Sequence, residues 1–393
     1  GHAAGWGLIL GYLATGMATV YGFAIYGADL LTRLGAPGDN RGILVALFLV
    51  DTLLAVGVAF LDIGLSARTA LILESLSVTI ILILCVNIWV HNGTVFDTRQ
   101  LTLSGVKPGG ILVGTVLAIF AFVGFESAGS LGVESKNSFR NVPRAILWSC
   151  LIVGLFYVVV SYSQIYGFQN VKGGILGSTA PLPDLATHTG IGGFAYVLDI
   201  GIVRSMFACT LACINAGSRL IYSMARDGMG HSTIGAVHRS RNTPHIAIAV
   251  AAVPMIAVPI ITTIMNEAAV NATGWVGTVA TFGFMLGYAL VGIGAPVFLR
   301  RAGVSDPLTW VLGLLGAAIM VFVFWANWLP QTIPGHLFPA LTGAYTWLPY
   351  IFLAWTAIGI VYYAIWQRRN PGKAAQVGSR YDTPEQAESL VAS

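Results

Sequence analysis

The chain has 393 residues, of which 56% are hydrophobic and only 9% charged, and its mean hydropathy is +0.79. Soluble domains carry about 25% charged residues, so this composition excludes an ordinary soluble domain and indicates an all-α polytopic membrane protein surrounded by lipid. The formal net charge of +4 gives no ground for a nucleic-acid partner.

A membrane span takes about 20 apolar residues. Ten segments qualify: 5–31, 42–61, 68–91, 111–133, 143–167, 194–220, 245–265, 273–299, 307–329 and 346–367. Turn-forming stretches separate them, among them Ala36-Pro-Gly-Asp-Asn40, Lys107-Pro-Gly-Gly110, Pro181-Leu-Pro183 and Asn242-Thr-Pro244. After Gln367-Arg-Arg-Asn370 the chain turns polar, and 369–393 reads as a disordered tail.

Orientation follows from the basic residues. Connections after odd-numbered spans hold Arg33, Arg41, Arg99, Lys107 and Lys172. Those on the other side hold fourteen, including Arg140, Arg144, Arg226, Arg300 and Arg301, and only Arg204 lies within a span. The fourteen-residue side is therefore expected in the cytoplasm, and the C-terminus with it. Cys85, Cys150, Cys209 and Cys213 all fall in spans without zinc-site spacing, which suits small packing residues. No cofactor or metal is called for. No Gly-rich phosphate-binding motif ending in Lys-Ser or Lys-Thr is present, so nucleotide drive from this chain is not expected.

A charge near the bilayer centre costs about 2.5–3.5 kcal/mol and needs a partner or a purpose. Asp29 lies near the outer end of its span and Asp51 about one turn inside. Glu74 has Arg68 as a neighbour and is a candidate for proton handling. Asp199 and Arg204 share a span and are expected to neutralise each other or a neighbouring helix.

Glu126 differs from these because it falls among Gly124, Gly129 and Gly132, inside an apolar run. Glycine costs a helix interior about 1 kcal/mol relative to alanine. An unwound segment exposes backbone groups that lipid cannot satisfy, so it must face protein or a water-filled cavity. Half-helix ends there offer amides to anions and carbonyls to cations. An amino acid zwitterion presents one of each, and Phe120, Phe122 and Phe125 could close over its side chain. Glycines packed against another helix, with Glu126 bonded to a neighbouring Ser or Tyr, would give the same spacing, and both readings stand at this point.

Phe120-Ala-Phe-Val-Gly-Phe-Glu126, with Glu134-Ser-Lys-Asn137 and Arg140-Asn-Val-Pro-Arg-Ala-Ile146 after it, resembles the sixth helix and following loop of the amino acid–polyamine–organocation permeases. Asn215-Ala-Gly-Ser-Arg-Leu-Ile-Tyr-Ser-Met-Ala-Arg-Asp-Gly228 is similar to the end of that family's eighth helix, and Gly64-Leu-Ser-Ala-Arg68 resembles the entry to its fifth. The resemblance implies a LeuT-like inverted-repeat transporter fold of twelve helices, of which the ten spans here match helices three to twelve. It divides the chain into 1–92, the remainder of the first repeat; 111–299, the second repeat; 307–368, the last two helices; and the tail. On this reading the family's first two helices, and the unwound segment of helix one that faces helix six, are not in these residues.

The family pattern places substrate contacts on Phe120, Ala121, Phe122, Gly124 and Phe125, and gating or proton handling on Glu126, with Glu74 as a further candidate. Proton-coupled members often carry a lysine midway along helix five, and 68–91 has none. Asn215 and Ser218 are candidates for an ion site or for packing. Arg226 and Asp227 are candidates for a cytoplasmic gate. The expected function is secondary active transport of amino acids or related organic amines across the plasma membrane by alternating access, coupled to a proton or sodium ion, and not an enzymatic reaction. The alternatives are a polyamine or organocation antiporter, a channel, an integral membrane enzyme and a non-transporting or truncated membrane partner protein.

Overall fold

The computed structural model describes residues 2–38, 40–61, 66–102, 106, 108–134, 137–241, 243–301, 303, 307–333 and 341–372. Among these residues the secondary structure is helical, with no strand. The α-helices are α1 (His2–Arg33), α2 (Arg41–Leu61), α3 (Ser66–His91), α4 (Pro108–Phe122), α5 (Ser138–Phe168), α6 (Pro181–His188), α7 (Gly192–Met224), α8 (His245–Ile264), α9 (Ala269–Arg301), α10 (Pro307–Trp328) and α11 (Leu348–Arg369). A 3-10 segment, Phe125–Glu134, follows α4, and a π-helical turn, Ala225–Met229, extends α7. Nine helices among the described residues are long and apolar enough to cross a membrane. The fourth expected span, 111–133, is the exception: α4 stops after 15 residues and the rest winds as a 3-10 segment. The tail beyond 372 lies outside the described residues.

The helix that organises the bundle is α1. At about 1.5 Å per residue its 32 residues outrun a hydrocarbon core of about 30 Å, and most of its middle is buried. Its small residues let neighbours come close, the usual basis of helix association where lipid removes the hydrophobic drive. The closest approach is to α9. A Cβ built on Gly283 would lie 2.6 Å from the Gly7 carbonyl oxygen and 2.8 Å from the Gly11 nitrogen. Here backbone touches backbone.

Three buried clusters surround this axis. Tyr21, Phe48, Ile214 and Met255 join α1, α2, α7 and α8. Val116, Phe282, Val323 and Phe352 join α4, α9, α10 and α11. Leu84, Phe168, Leu185 and Leu198 join α3, α5, α6 and α7. By contrast α5 exposes Leu147, Leu151, Leu155 and Val158, a surface suited to lipid or to a further helix. Near its N-terminus α1 is tied to α11 by two stacked indoles, Trp6 and Trp355. Each donates its N–H to the other's backbone carbonyl, at 2.8 and 3.1 Å.

The C-terminal end of α1 carries an ionic hub. Arg33 pairs with Asp29 at 2.7 Å, with Asp184 of α6 at 3.0 Å and with Asp199 of α7 at 3.3 Å. Asp199 is thus neutralised from a neighbouring helix, one of the two arrangements expected, and not by Arg204 within α7. Arg204 instead donates to Ser77 Oγ on α3 at 2.6 Å. Residues five apart on a helix point about 140° away from each other, so 199 and 204 cannot share a face. Asp199 is wholly buried, and neither of its oxygens has a hydrogen-bond partner. Removing its cation strands a buried charge, which costs about 3–5 kcal/mol. Arg33→Met is therefore expected to destabilise the solubilised protein strongly, and adding Asp199→Asn to recover a large part of the loss. Thermal unfolding of the two variants checks this; equal stability of both with the parent would contradict it.

Candidate functional site

The expected helix break is present. After Phe122 the chain leaves the α-conformation, and Gly124 takes φ of 107°, a left-handed backbone open to glycine and strained for other residues. The Gly124 carbonyl then accepts the Ser127 N–H at 3.0 Å and the Ser127 hydroxyl at 2.6 Å, which starts the 3-10 segment. The Gly124 N–H turns the other way and donates to Glu126 Oε2 at 2.9 Å.

Glu126 is thus fastened at the break, and two tyrosines complete its shell. Tyr12 of α1 donates its hydroxyl to Oε1 at 2.7 Å, and Tyr288 of α9 donates to Oε2 at 2.8 Å. A tyrosine bonded to Glu126 fits the packing alternative for this stretch, but the close glycine packing that goes with it is absent, since a Cβ on Gly124 or Gly129 would meet nothing within 4 Å. An aromatic wall supports the clasp: Phe284 meets Tyr12 edge-on at 5.1 Å, and Phe125 lies against Tyr288 at 5.2 Å. One carboxylate therefore holds together the broken helix, the central helix and α9.

The other candidates distribute unevenly. Phe120 faces α9, where a Cβ on Gly277 would meet its ring at 3.2 Å. Phe122 turns to the opposite side, edge-on to Tyr157 of α5 at 5.6 Å, and Ala121 is exposed. Phe120, Gly124, Phe125 and Glu126 are thus associated with the α9 side of the break, and Phe122 is not. Asn215 and Ser218 lie on α7, and the Ser218 hydroxyl bonds the Asn215 carbonyl of its own helix at 3.2 Å.

Glu74 belongs to another location. Both its oxygens accept the Ser205 hydroxyl, at 3.1 and 3.0 Å, across the seam of α3 and α7. It lines a cavity of about 170 Å³ with Tyr26, Ser77, Phe156 and Leu182. No hydrogen bond among the described residues joins Glu74 to Glu126, and the Arg68 side chain lies outside the described ones. Arg226 stacks over Tyr222, 5.8 Å from the ring centre, and bonds its hydroxyl at 3.2 Å. Neither Arg226 nor Asp227 forms an ion pair among the described residues.

Comparison with known proteins bears on this arrangement. The family described as "Amino acid permease" matches residues 1–365. The chain belongs to the amino acid permease family. It is similar to the branched-chain amino acid permease BcaP of Bacillus subtilis, at 26% identity over 261 residues, which span 62% of this chain and 54% of that relative. It is also similar to the methylthioribose transporter of the same organism, at 22% identity over 93% of this chain and 76% of the relative. The low-affinity putrescine importer PlaP of Escherichia coli matches at 24% identity over 71% of this chain and 58% of the relative. The chain thus spans little more than half the length of two of these three relatives. The family and these relatives are permeases and transporters, not enzymes, and the family with the nine apolar helices makes this permease a multi-pass membrane protein.

Proposed function

We propose that this permease carries an amino acid or related organic amine across the plasma membrane by alternating access, with its C-terminus in the cytoplasm and a proton or sodium ion as coupling ion. The observation that carries the reading is the clasp of Tyr12 and Tyr288 on Glu126 at the helix break. A broken helix offers free amides and carbonyls to a zwitterion. The clasp adds two hydrogen bonds that can be released together when the broken helix moves against α1 and α9. On this reading Gly124, Phe120 and Phe125 border the substrate, Glu126 is the gate, and the two repeats are 1–92 and 111–299, followed by the last two helices at 307–368.

The test is uptake by the full-length protein in proteoliposomes. Saturable uptake of labelled leucine, methylthioribose or putrescine, competed by the unlabelled compound, is the expected result. Absence of saturable uptake across amino acids, amines and polyamines overturns the reading.

A further inference from the structure

Asp51 lies in the middle of α2, nearly three turns from its start and deeper than the one turn expected, and is wholly buried among α1, α2, α7 and α8. Its Oδ2 accepts the Thr210 hydroxyl of α7 at 2.8 Å, and its Oδ1 has no hydrogen-bond partner. No ion pair among the described residues includes it. An ionised carboxylate so placed has a single donor, far short of what a buried charge requires.

The surrounding oxygens suit a different species. Thr210 Oγ1 lies 2.9 Å from Thr19 Oγ1 of α1 and 3.1 Å from the Met206 carbonyl, and Thr19 Oγ1 lies 3.0 Å from the Gly16 carbonyl. Each hydroxyl has one proton to donate. With a carboxylate at 51, Thr19 donates to Thr210 and Thr210 donates to Asp51. With a carboxylic acid at 51, Asp51 donates to Thr210, Thr210 turns to the Met206 carbonyl, and Thr19 turns to the Gly16 carbonyl. The heavy atoms stay in place in both cases. The three side chains are already in direct hydrogen-bonding contact, so the cation that fits between them is a proton.

No cation among the described residues pairs with Asp51 in its place. The titratable side chains in the apolar cluster around it are Cys209 and Cys213 on α7 and Tyr21 on α1, and Glu74 of α3, which acts on Cys209 as Asp51 does, adds a second carboxylate and no cation. From α8 the cluster receives Ile248, Ala251 and Met255, and His245 stands at that helix's start. Arg41, on α2 itself, is ten residues away, about 15 Å along the axis. Arg204 of α7 bonds Ser77 of α3, while Asp29, Arg33 and Asp199 hold one another at the C-terminal end of α1.

We propose that Asp51 is the proton-binding site of the transport cycle, with Thr210 and Thr19 as the hydroxyl pair that reorients when the proton arrives or leaves. The proposal rests on the transport reading above and names its coupling ion. Two measurements on full-length protein test it separately. Infrared difference spectra between acidic and alkaline buffer are expected to contain a carboxylic-acid C=O band that Asp51→Asn removes and Thr210→Val shifts in frequency. In proteoliposomes, an imposed pH gradient is expected to accumulate labelled leucine or putrescine several-fold above equilibrium, and Asp51→Asn to lose that accumulation. Asn can still accept from Thr210, so the variant is expected to fold; Asp51→Glu, which keeps the acid, is expected to retain the band. An unchanged infrared difference spectrum in Asp51→Asn, or accumulation equal to the parent's, overturns the proposal. Failure of the parent to take up any probe overturns the transport reading instead and leaves the infrared result to decide the site.

Discussion

Alanine at Gly283 is expected to lower the unfolding temperature of the detergent-solubilised protein by several degrees, whereas alanine at Gly294 on the same helix leaves it unchanged or raises it. Gly283 is buried and Gly294 exposed, and they differ in what a methyl group meets. At Gly283 the obstacle is backbone: the Gly7 carbonyl oxygen at 2.6 Å and the Gly11 nitrogen and Cα at 2.8 and 3.2 Å. No rotamer change relieves such a contact, so α1 and α9 must separate along their shared length. Overpacking typically costs about 1–3 kcal/mol, and a backbone obstacle puts this site at the upper end. At Gly294 nothing lies within 4 Å, and alanine gains up to about 1 kcal/mol of helix propensity. Equal unfolding temperatures for the two variants would show that the crossing is looser than described. The effect reaches function because Tyr12 and Tyr288 sit on these same two helices. A spread crossing pulls the two halves of the clasp apart.

Most of the fold was legible in hydropathy because a span must satisfy its backbone internally and present apolar side chains over a fixed length. The break was legible for the opposite reason: glycines and a carboxylate have a cost in such a run. What local pattern could not give was the other side of each contact. Tyr12 and Tyr288 stand 114 and 162 residues from Glu126, and nothing about either is unusual among the tyrosines of this chain. Helix geometry already bore on two of the open points. Phe120 and Phe122 are about 200° apart on a helix, so α4 could not turn both toward one ligand. Asp199 and Arg204 fail as a pair on the same grounds. The short helix α6 was read as a connection because of Pro181 and Pro183, yet proline is tolerated in a first helical turn. Leu185 and Ala186 bury completely one turn later, which gives that helix its place in the core.

Removing the hydroxyl of Tyr12 is expected to cost at least tenfold in the initial rate of substrate uptake while leaving the amount of folded protein unchanged. Hydrogen bonds to a charged group are worth about 1.5–3 kcal/mol, which corresponds to roughly 10–150-fold in any equilibrium that makes and breaks them. Tyr12→Phe deletes the tyrosine donor to Oε1 but keeps the ring that packs edge-on against Phe284. Tyr288→Phe deletes a donor to Oε2, where the Gly124 N–H remains. The second substitution should therefore be the milder of the two. The double variant distinguishes a gate from two independent supports. If both hydroxyls act by holding Glu126 in one arrangement, losing either already frees the broken helix, and the combined loss falls short of the product of the single losses. Additive losses would mean that each tyrosine serves its own helix and that Glu126 couples nothing. Glu126→Leu supplies the remaining corner, because without the carboxylate the two tyrosine substitutions should have little further effect on uptake. A Glu126→Leu protein that transports at the parent rate would remove the clasp from the transport cycle and leave it as packing.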